Sequence, residues 1–133
     1  MVAPAPLSIP LQSSSATPIA IAGTFASFAI FLSVTAHIAA RNVLGDVPVR
    51  NAFVVGPIPA VVSVLAAAFA RNSPPALFAA LAIAIALDGV AIYLLYGESR
   101  RLSAYITLIH FVVSVILGTI LFGVLAIIQS APG

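Results

Sequence analysis

Residues 74–96, PPALFAALAIAIALDGVAIYLLY, decide the fold because one charged side chain, that of Asp88, is all that interrupts the run. An α-helix rises 1.5 Å per residue, so about 20 apolar residues are needed to cross a hydrocarbon core of about 30 Å. Ser73 is a suitable N-cap, prolines are tolerated in the first turn that follows it, and Gly97 can end the helix. We therefore predict a membrane-spanning helix over this segment.

Three further apolar segments predict an all-α, antiparallel four-helix transmembrane bundle. They cover residues 18–40, 47–70 and 100–128, so residues 18–133 form one transmembrane domain behind a flexible N-terminal tail at residues 1–17. The connections are short, which forces consecutive helices to lie antiparallel and adjacent. Strands are excluded because an open sheet edge in lipid leaves backbone groups unpaired.

The composition excludes several classes of protein. The chain of 133 residues is 62% hydrophobic and 6% charged, with a mean hydropathy of +1.24. A soluble domain carries about 25% charged residues, so this composition cannot build a water-exposed surface. Cysteine is absent, which excludes disulfides, iron–sulfur clusters and cysteine-ligated zinc. The five basic residues are spread over three loops and form no basic patch, so we expect no nucleic-acid partner.

The distribution of arginine between the loops predicts the orientation in the membrane. Arg41 and Arg50 flank the first loop, Arg100 and Arg101 lie at the third, and Arg71 alone marks the second. Cytoplasmic loops carry an excess of basic residues. We therefore expect a multi-pass protein of the cell membrane, surrounded by lipid, with loops one and three in the cytoplasm and both termini outside.

The second span contains two prolines well inside its apolar run. Pro57 and Pro59 each remove a backbone donor, and the freed carbonyls must find partners inside the bundle. We predict a kink there, which serves packing or, alternatively, forms a gating hinge or a cavity wall. Asp46 is the residue expected to cap the start of this span.

One acidic side chain and two histidines lie inside the predicted spans. Asp88 and His110 both lie roughly 10–15 Å from the cytoplasmic end of their helices, so a contact between these hairpin neighbours is within reach. His37 lies closer to that end. A carboxylate near the bilayer midplane costs at least about 2.5–3.5 kcal/mol, so Asp88 needs a partner or a proton. Two interpretations stay open, a proton relay or ion pathway and a structural hydrogen-bonded pair.

Small and hydroxylated residues form stripes along three of the spans, and such stripes let membrane helices pack closely. On the fourth span the stripe is Ser103, Thr107, Ser114 and Gly118. On the first it is Gly23, Ser27, Ser33, His37 and Arg41. On the third span Ala79, Ala82, Ala86 and Gly89 form a seam suited to close helix contact, with Asp88 on the opposite face. That arrangement predicts protein contacts on both faces of the third span.

Motifs of familiar catalytic chemistry are missing from the sequence. It contains no glycine-rich phosphate loop, no serine-nucleophile elbow and no HExxH zinc site. We therefore expect a protein that is not an enzyme and carries no cofactor and no metal.

Four stretches of the sequence carry a resemblance to a known group of proteins. They are VTAHIAAR at residues 34–41, NVLGDVP at 42–48, YGESRR at 96–101 and HFVVS at 110–114. In these stretches the chain resembles the small, uncharacterised four-span membrane proteins of salt-loving archaea. The resemblance covers all four spans and implies a fold and a location in the cell membrane. That group has no assigned activity, so the resemblance implies no catalytic or binding residue.

Three functions fit these features. The first is a non-catalytic accessory or structural subunit of a larger membrane complex, or a homo-oligomer, since almost no mass lies outside the membrane and several small-residue faces are available. The second is a pathway for protons, ions or a small solute that uses Asp88 and His110. The third is a haem-binding electron-transfer subunit with His37 and His110 as ligands, since haem iron accepts imidazole.

Overall fold

The computed structural model describes residues 17–131, and within them it contains five α-helices and no strand. Thr17 is the one residue of the predicted tail that is described; residues 1–16 lie outside the described part. The helices are α1 (Pro18–Leu44), α2 (Val49–Val55), α3 (Pro57–Phe69), α4 (Pro74–Tyr96) and α5 (Arg100–Ser130). Because α2 and α3 together make one span, four helical segments are long and apolar enough to cross a membrane. The predicted all-α, four-span membrane fold is confirmed.

The four spans form a closed ring in which each span packs against its two neighbours. Helix α1 packs against α2 and α3 on one side and against α5 on the other. Helix α4 packs between the second span and α5. Among the described residues, the diagonal pairs of spans make no close backbone contact. The interior of the bundle is therefore lined by side chains from all four spans.

Helix ends follow local capping chemistry, with one exception. The hydroxyls of Ser73 and Ser99 accept hydrogen bonds from backbone N–H groups at 3.4 and 3.2 Å, and Gly97 ends α4 in the left-handed conformation with φ of 66°. The expectation that Asp46 caps the second span was wrong. Pro48 occupies the N-cap position without a side-chain cap, because proline disfavours helical geometry in the residue before it and the helix starts after it.

Packing is tight at one end of the bundle and loose at the other. The tight end lies beside the first and third loops. Its buried residues are Ala36, Ala39, Ala40, Ala52, Val55, Ala91, Ile92 and Ile106. The opposite half holds a smaller cluster of Ala29, Leu32 and Ala60. No residue of α5 beyond His110 is buried. The helices therefore meet closely at one end and leave space between them at the other.

The second span is interrupted at Gly56, directly before Pro57. At this point the span lies against α1 so closely that a Cβ on Gly56 would overlap the backbone and the hydroxyl of Ser33. Ser33 is buried, and its Oγ donates to the carbonyl of Ala29 at 2.7 Å. The interruption and the absence of a side chain together allow the second span to approach α1.

Replacing Gly56 with alanine tests this contact. We expect the Gly56→Ala variant to lose about 1–3 kcal/mol of unfolding free energy, because the backbone of α1 must move to make room. Gly23→Ala is the matched control, since nothing lies within 4 Å of its added Cβ and alanine favours a helix by up to about 1 kcal/mol. Unfolding in mixed micelles, followed by circular dichroism, measures both. Equal stability of the two variants would contradict the close approach.

Candidate functional site

Asp88 and His110 form a buried pair inside the bundle. The distance between Asp88 Oδ2 and His110 Nδ1 is 2.6 Å, and the two side chains are 7% and 4% exposed. The short turn between α4 and α5 places them on facing helices. Gly89 helps α5 approach, because a Cβ there would lie 3.3 Å from Thr107 Oγ1. The structure thus brings together Asp88 and His110, which the sequence analysis placed at similar depths on neighbouring helices.

The other ring nitrogen of His110 reaches across to α1. His110 Nε2 lies 3.0 Å from the carbonyl oxygen of Leu32 and 3.1 Å from Thr35 Oγ1. Thr35 donates its own proton to the Leu32 carbonyl at 3.1 Å and accepts a hydrogen bond from Ser114 Oγ at 2.8 Å. One connected network of polar groups therefore joins α1, α4 and α5.

The partners of His110 determine where its protons lie. A carbonyl oxygen only accepts hydrogen bonds, so Nε2 must carry a proton to bond to Leu32. The Thr35 hydroxyl cannot donate a proton to Nε2, because it already donates that proton to the carbonyl of Leu32. One proton remains between Nδ1 and Asp88 Oδ2. Whichever of these atoms holds it, the pair carries no net charge, which lowers the cost of burying a carboxylate in a membrane span.

The remaining predicted site residues fall into different surroundings. His37 is half-buried, lies outside this network, and its Nδ1 has no partner among the described residues. Thr107 donates to the carbonyl of Ser103 at 2.8 Å, and both side chains are buried. Gly118 lies opposite the ring of Phe31. The hydroxylated stripe of α5 therefore faces the interior of the bundle.

The geometry gives little support to haem or metal binding. Both ring nitrogens of His110 are engaged in hydrogen bonds, so ligation of iron there would break one of them. Within residues 17–131 no group of three or more His, Cys, Asp or Glu side chains is placed to hold a metal ion.

Helix α4 presents its two faces to different environments. The acidic face is turned inward, where Ala84, Asp88 and Ile92 are buried. Of the predicted seam, Gly89 lies against α5, whereas the three alanines are exposed on the outside of the bundle. These are Ala79, Ala82 and Ala86. No helix of the described chain covers them.

A cavity of about 540 Å³ lies among the four spans on the loosely packed side. Its wall is largely apolar, and its polar lining consists of six residues. They are Ser63, Asp88, Thr107, His110, Ser114 and Thr119. Exposed residues such as Leu81 and Phe122 lie at the rim, so the cavity opens to the surroundings of the apolar helices. The buried pair thus lies in the wall of a cavity inside the bundle.

Sequence reasoning missed four residues of this site. Thr35 and Leu32 hold His110 from α1, Ser63 lines the cavity from α3, and Thr119 lines it from α5. The stripe expected on α1 was centred on His37, which lies about 160° from Thr35 around the helix. A better signal was the set of alanines on α1, Ala29, Ala36, Ala39 and Ala40, which marks the face that is buried.

These features define a four-span membrane protein with a buried carboxylate–imidazole pair and an apolar cavity beside it. Residues 15–132 match the model of a family of unknown function, DUF7473, and the chain belongs to that family. Comparison with curated proteins and with solved structures finds no significant match. The assignment of a role therefore depends on the geometry of the chain itself.

A double-mutant cycle on Asp88→Ala and His110→Ala measures the strength of the pair. We expect a coupling free energy of about 1–2 kcal/mol, because hydrogen bonds inside membranes rarely exceed that range. The readout is unfolding in mixed micelles. A second cycle, Asp88→Ala with Ser27→Ala, is the control and should be additive, since no hydrogen bond joins these side chains. Additivity in both cycles would show that the Asp88–His110 contact does not stabilise the bundle.

Proposed function

We propose that the protein is a small non-catalytic subunit of a larger membrane assembly and docks through the exposed alanines of α4. Ala79, Ala82 and Ala86 lie in the middle of an apolar span, on the face turned away from the bundle. Small residues let the backbone of another membrane helix approach closely, which is the main source of helix association in lipid. This outward small-residue face is the observation that carries the proposal.

The distribution of polar groups supports the same role. Asp88, His110, Thr35 and Ser114 bond to one another inside the bundle, which leaves the outer surface of the spans to apolar packing. The described connections are short and offer little surface for a water-soluble partner. We further propose a location in the cell membrane, with both termini outside and the first and third loops in the cytoplasm. The support is the excess of arginine in those two loops.

Replacing Ala82 with phenylalanine tests the docking face. We expect Ala82→Phe to lower the amount of co-purified partner several-fold in mild detergent, because the bulky ring holds a partner helix away. Ala126→Phe on α5 is the matched control, since Ala126 is also an exposed alanine within a span. Quantitative mass spectrometry of affinity-purified material measures the amount of partner, which can also be a second copy of this chain. An unchanged amount of partner with Ala82→Phe, or an equal decrease with both variants, would contradict this docking face.

A second candidate function is proton movement through the Asp88–His110 pair. The observation in its favour is the contact of 2.6 Å between His110 Nδ1 and Asp88 Oδ2, while Asp88 Oδ1 is buried without a partner among the described residues. The close packing at the tight end of the bundle disfavours passage of any ion or solute larger than a proton. There Ala39, Ala52 and Ile106 are fully buried and close the space between the helices.

Proton flux into proteoliposomes tests this candidate. If the pair relays protons, Asp88→Asn should abolish flux, because an amide cannot exchange a proton with His110 as a carboxylate does. Asp46→Asn is the control, since this acid lies in an exposed loop outside the spans. Flux that is the same in both variants would exclude Asp88 from the path.

A further inference from the structure

The cavity has the size and the shape of a site for a small amphiphile. Its volume of about 540 Å³ falls within the range of about 300–1,000 Å³ found for small-molecule sites. A groove of about 650 Å³ between α1 and α5 adjoins it and shares Phe28, Phe31, Gly118 and Phe122 with it. Together they suit an elongated apolar body with its head near the buried pair.

The hydroxyl groups that line the cavity have no proton to offer a ligand. Ser63, Thr107 and Thr119 donate to carbonyls four residues earlier in their own helices, at 2.9, 2.8 and 2.7 Å. Ser114 donates to Thr35 at 2.8 Å. Each hydroxyl oxygen keeps a lone pair, so all four act toward the cavity as acceptors.

The ionisable pair has the same character. The Nε2 proton of His110 is directed to Leu32 and Thr35, and the proton at Nδ1 is shared with Asp88 Oδ2. Asp88 Oδ1 has no partner among the described residues and is an acceptor. Of the six polar side chains in the lining, the four hydroxyls and Asp88 can accept hydrogen bonds, and both ring nitrogens of His110 are already engaged. None of the six has a free hydrogen-bond donor.

We propose that the cavity binds a membrane-dissolved apolar molecule whose head donates hydrogen bonds, an alcohol or an amine. A head that only accepts hydrogen bonds, such as an ether or a ketone, finds no donor there and loses its bonds to water without replacement. A hydroxyl or amino head finds several acceptors. The rings of Phe28, Phe31, Phe111 and Phe122 contact the apolar body and attract a cationic head.

The two kinds of donor head differ in their effect on the buried pair. An alcohol is neutral and leaves the shared proton between Asp88 and His110. An ammonium group brings a positive charge into an apolar site, and the pair can balance that charge only by releasing its shared proton. Binding of an amine is therefore coupled to release of one proton, whereas binding of an alcohol is not.

Titrations of the full chain in nanodiscs test the proposal. The nanodiscs contain saturated phosphatidylcholine, whose head group has no hydrogen-bond donor. The probes are 1-dodecanol, dodecylamine and 1-methoxydodecane, which share a chain length and differ in the head. We expect saturable ¹⁵N shifts of the His110 ring with the alcohol, the amine or both, and at least tenfold weaker binding of the ether. His37, outside the cavity lining, is the internal reference.

Proton release distinguishes an alcohol ligand from an amine ligand, and it is followed with a pH-sensitive dye at low buffer concentration. Release with dodecylamine and none with dodecanol identifies the amine as a site ligand that binds with loss of one proton, either from the pair or from the ammonium group. Release with neither probe, together with saturable binding of the alcohol, identifies a neutral donor as the ligand. Binding of the ether as tight as that of the alcohol and the amine, or saturable binding of none of the probes, would overturn the proposal.

A matched pair of glycine variants locates the site. Gly118 lines both the cavity and the groove, and its added Cβ would make an ordinary contact at 3.6 Å with Phe31, so Gly118→Leu fills space without a clash at Cβ. We expect this variant to weaken probe binding at least tenfold. Gly123→Leu, on the same helix with nothing within 4 Å, should leave affinity unchanged. Unchanged affinity in Gly118→Leu would place binding elsewhere, and the comparison of probes on the unaltered protein does not depend on either variant.

Discussion

The carbonyl oxygen of Leu32 is the constraint on which the interior of this bundle depends. Because it accepts the proton on His110 Nε2, the proton between His110 Nδ1 and Asp88 is the one that remains, and the pair is neutral. An uncompensated carboxylate would disfavour insertion of α4, whereas a neutral pair can be buried at moderate cost. The same bonds fix the rotation of α4, since Asp88 must face α5. They also fix the height of α1, since Leu32 must lie level with His110.

The position of the pair explains why the bundle packs unequally along its length. On the side of the first and third loops, alanines on α1, α2 and α4 allow the helices to meet at short distances around Ile92 and Ile106. On the other side, the partly buried rings of Phe25, Phe28 and Phe31 pack around the smaller cluster of Ala29, Leu32 and Ala60, and α5 continues without buried residues. The helices meet less closely there, and space remains between them. The pair lies where the tight half gives way to the open half.

Much of the fold could be predicted from the sequence, because long apolar runs and their caps are local features. Ser73, Ser99 and Gly97 act at helix ends as their chemistry predicts. Asp46 does not, since Pro48 delays the start of the helix. Depth along α4 and α5 placed Asp88 and His110 within reach of each other. The depth of His110 along its helix does not identify which backbone carbonyl it bonds to, because every residue of α1 carries a carbonyl. The role of Leu32 therefore required the structure.

The rotation of α1 was the other part that the predicted stripe did not give. Several faces of this helix carry small or hydroxylated residues, and the stripe centred on His37 did not identify the buried face, which Ala29, Ala36, Ala39 and Ala40 mark instead. The choice depends on contacts from other helices, above all the approach of Gly56 to Ser33 and the bond from His110 to Thr35. Both contacts join residues distant in sequence, and no local pattern encodes them.

Helix α4 connects the two sites proposed for this protein. Its inner face carries Asp88 and Ala84 in the cavity wall, and its outer face carries Ala79, Ala82 and Ala86. A helix is stiff across its width, so a molecule that enters the cavity and displaces the inner face must displace the outer face by the same amount. Small-residue contacts between membrane helices require close backbone approach and are sensitive to such shifts. The two proposed sites therefore share one rigid element, and a ligand that displaced α4 would change the geometry of the docking face.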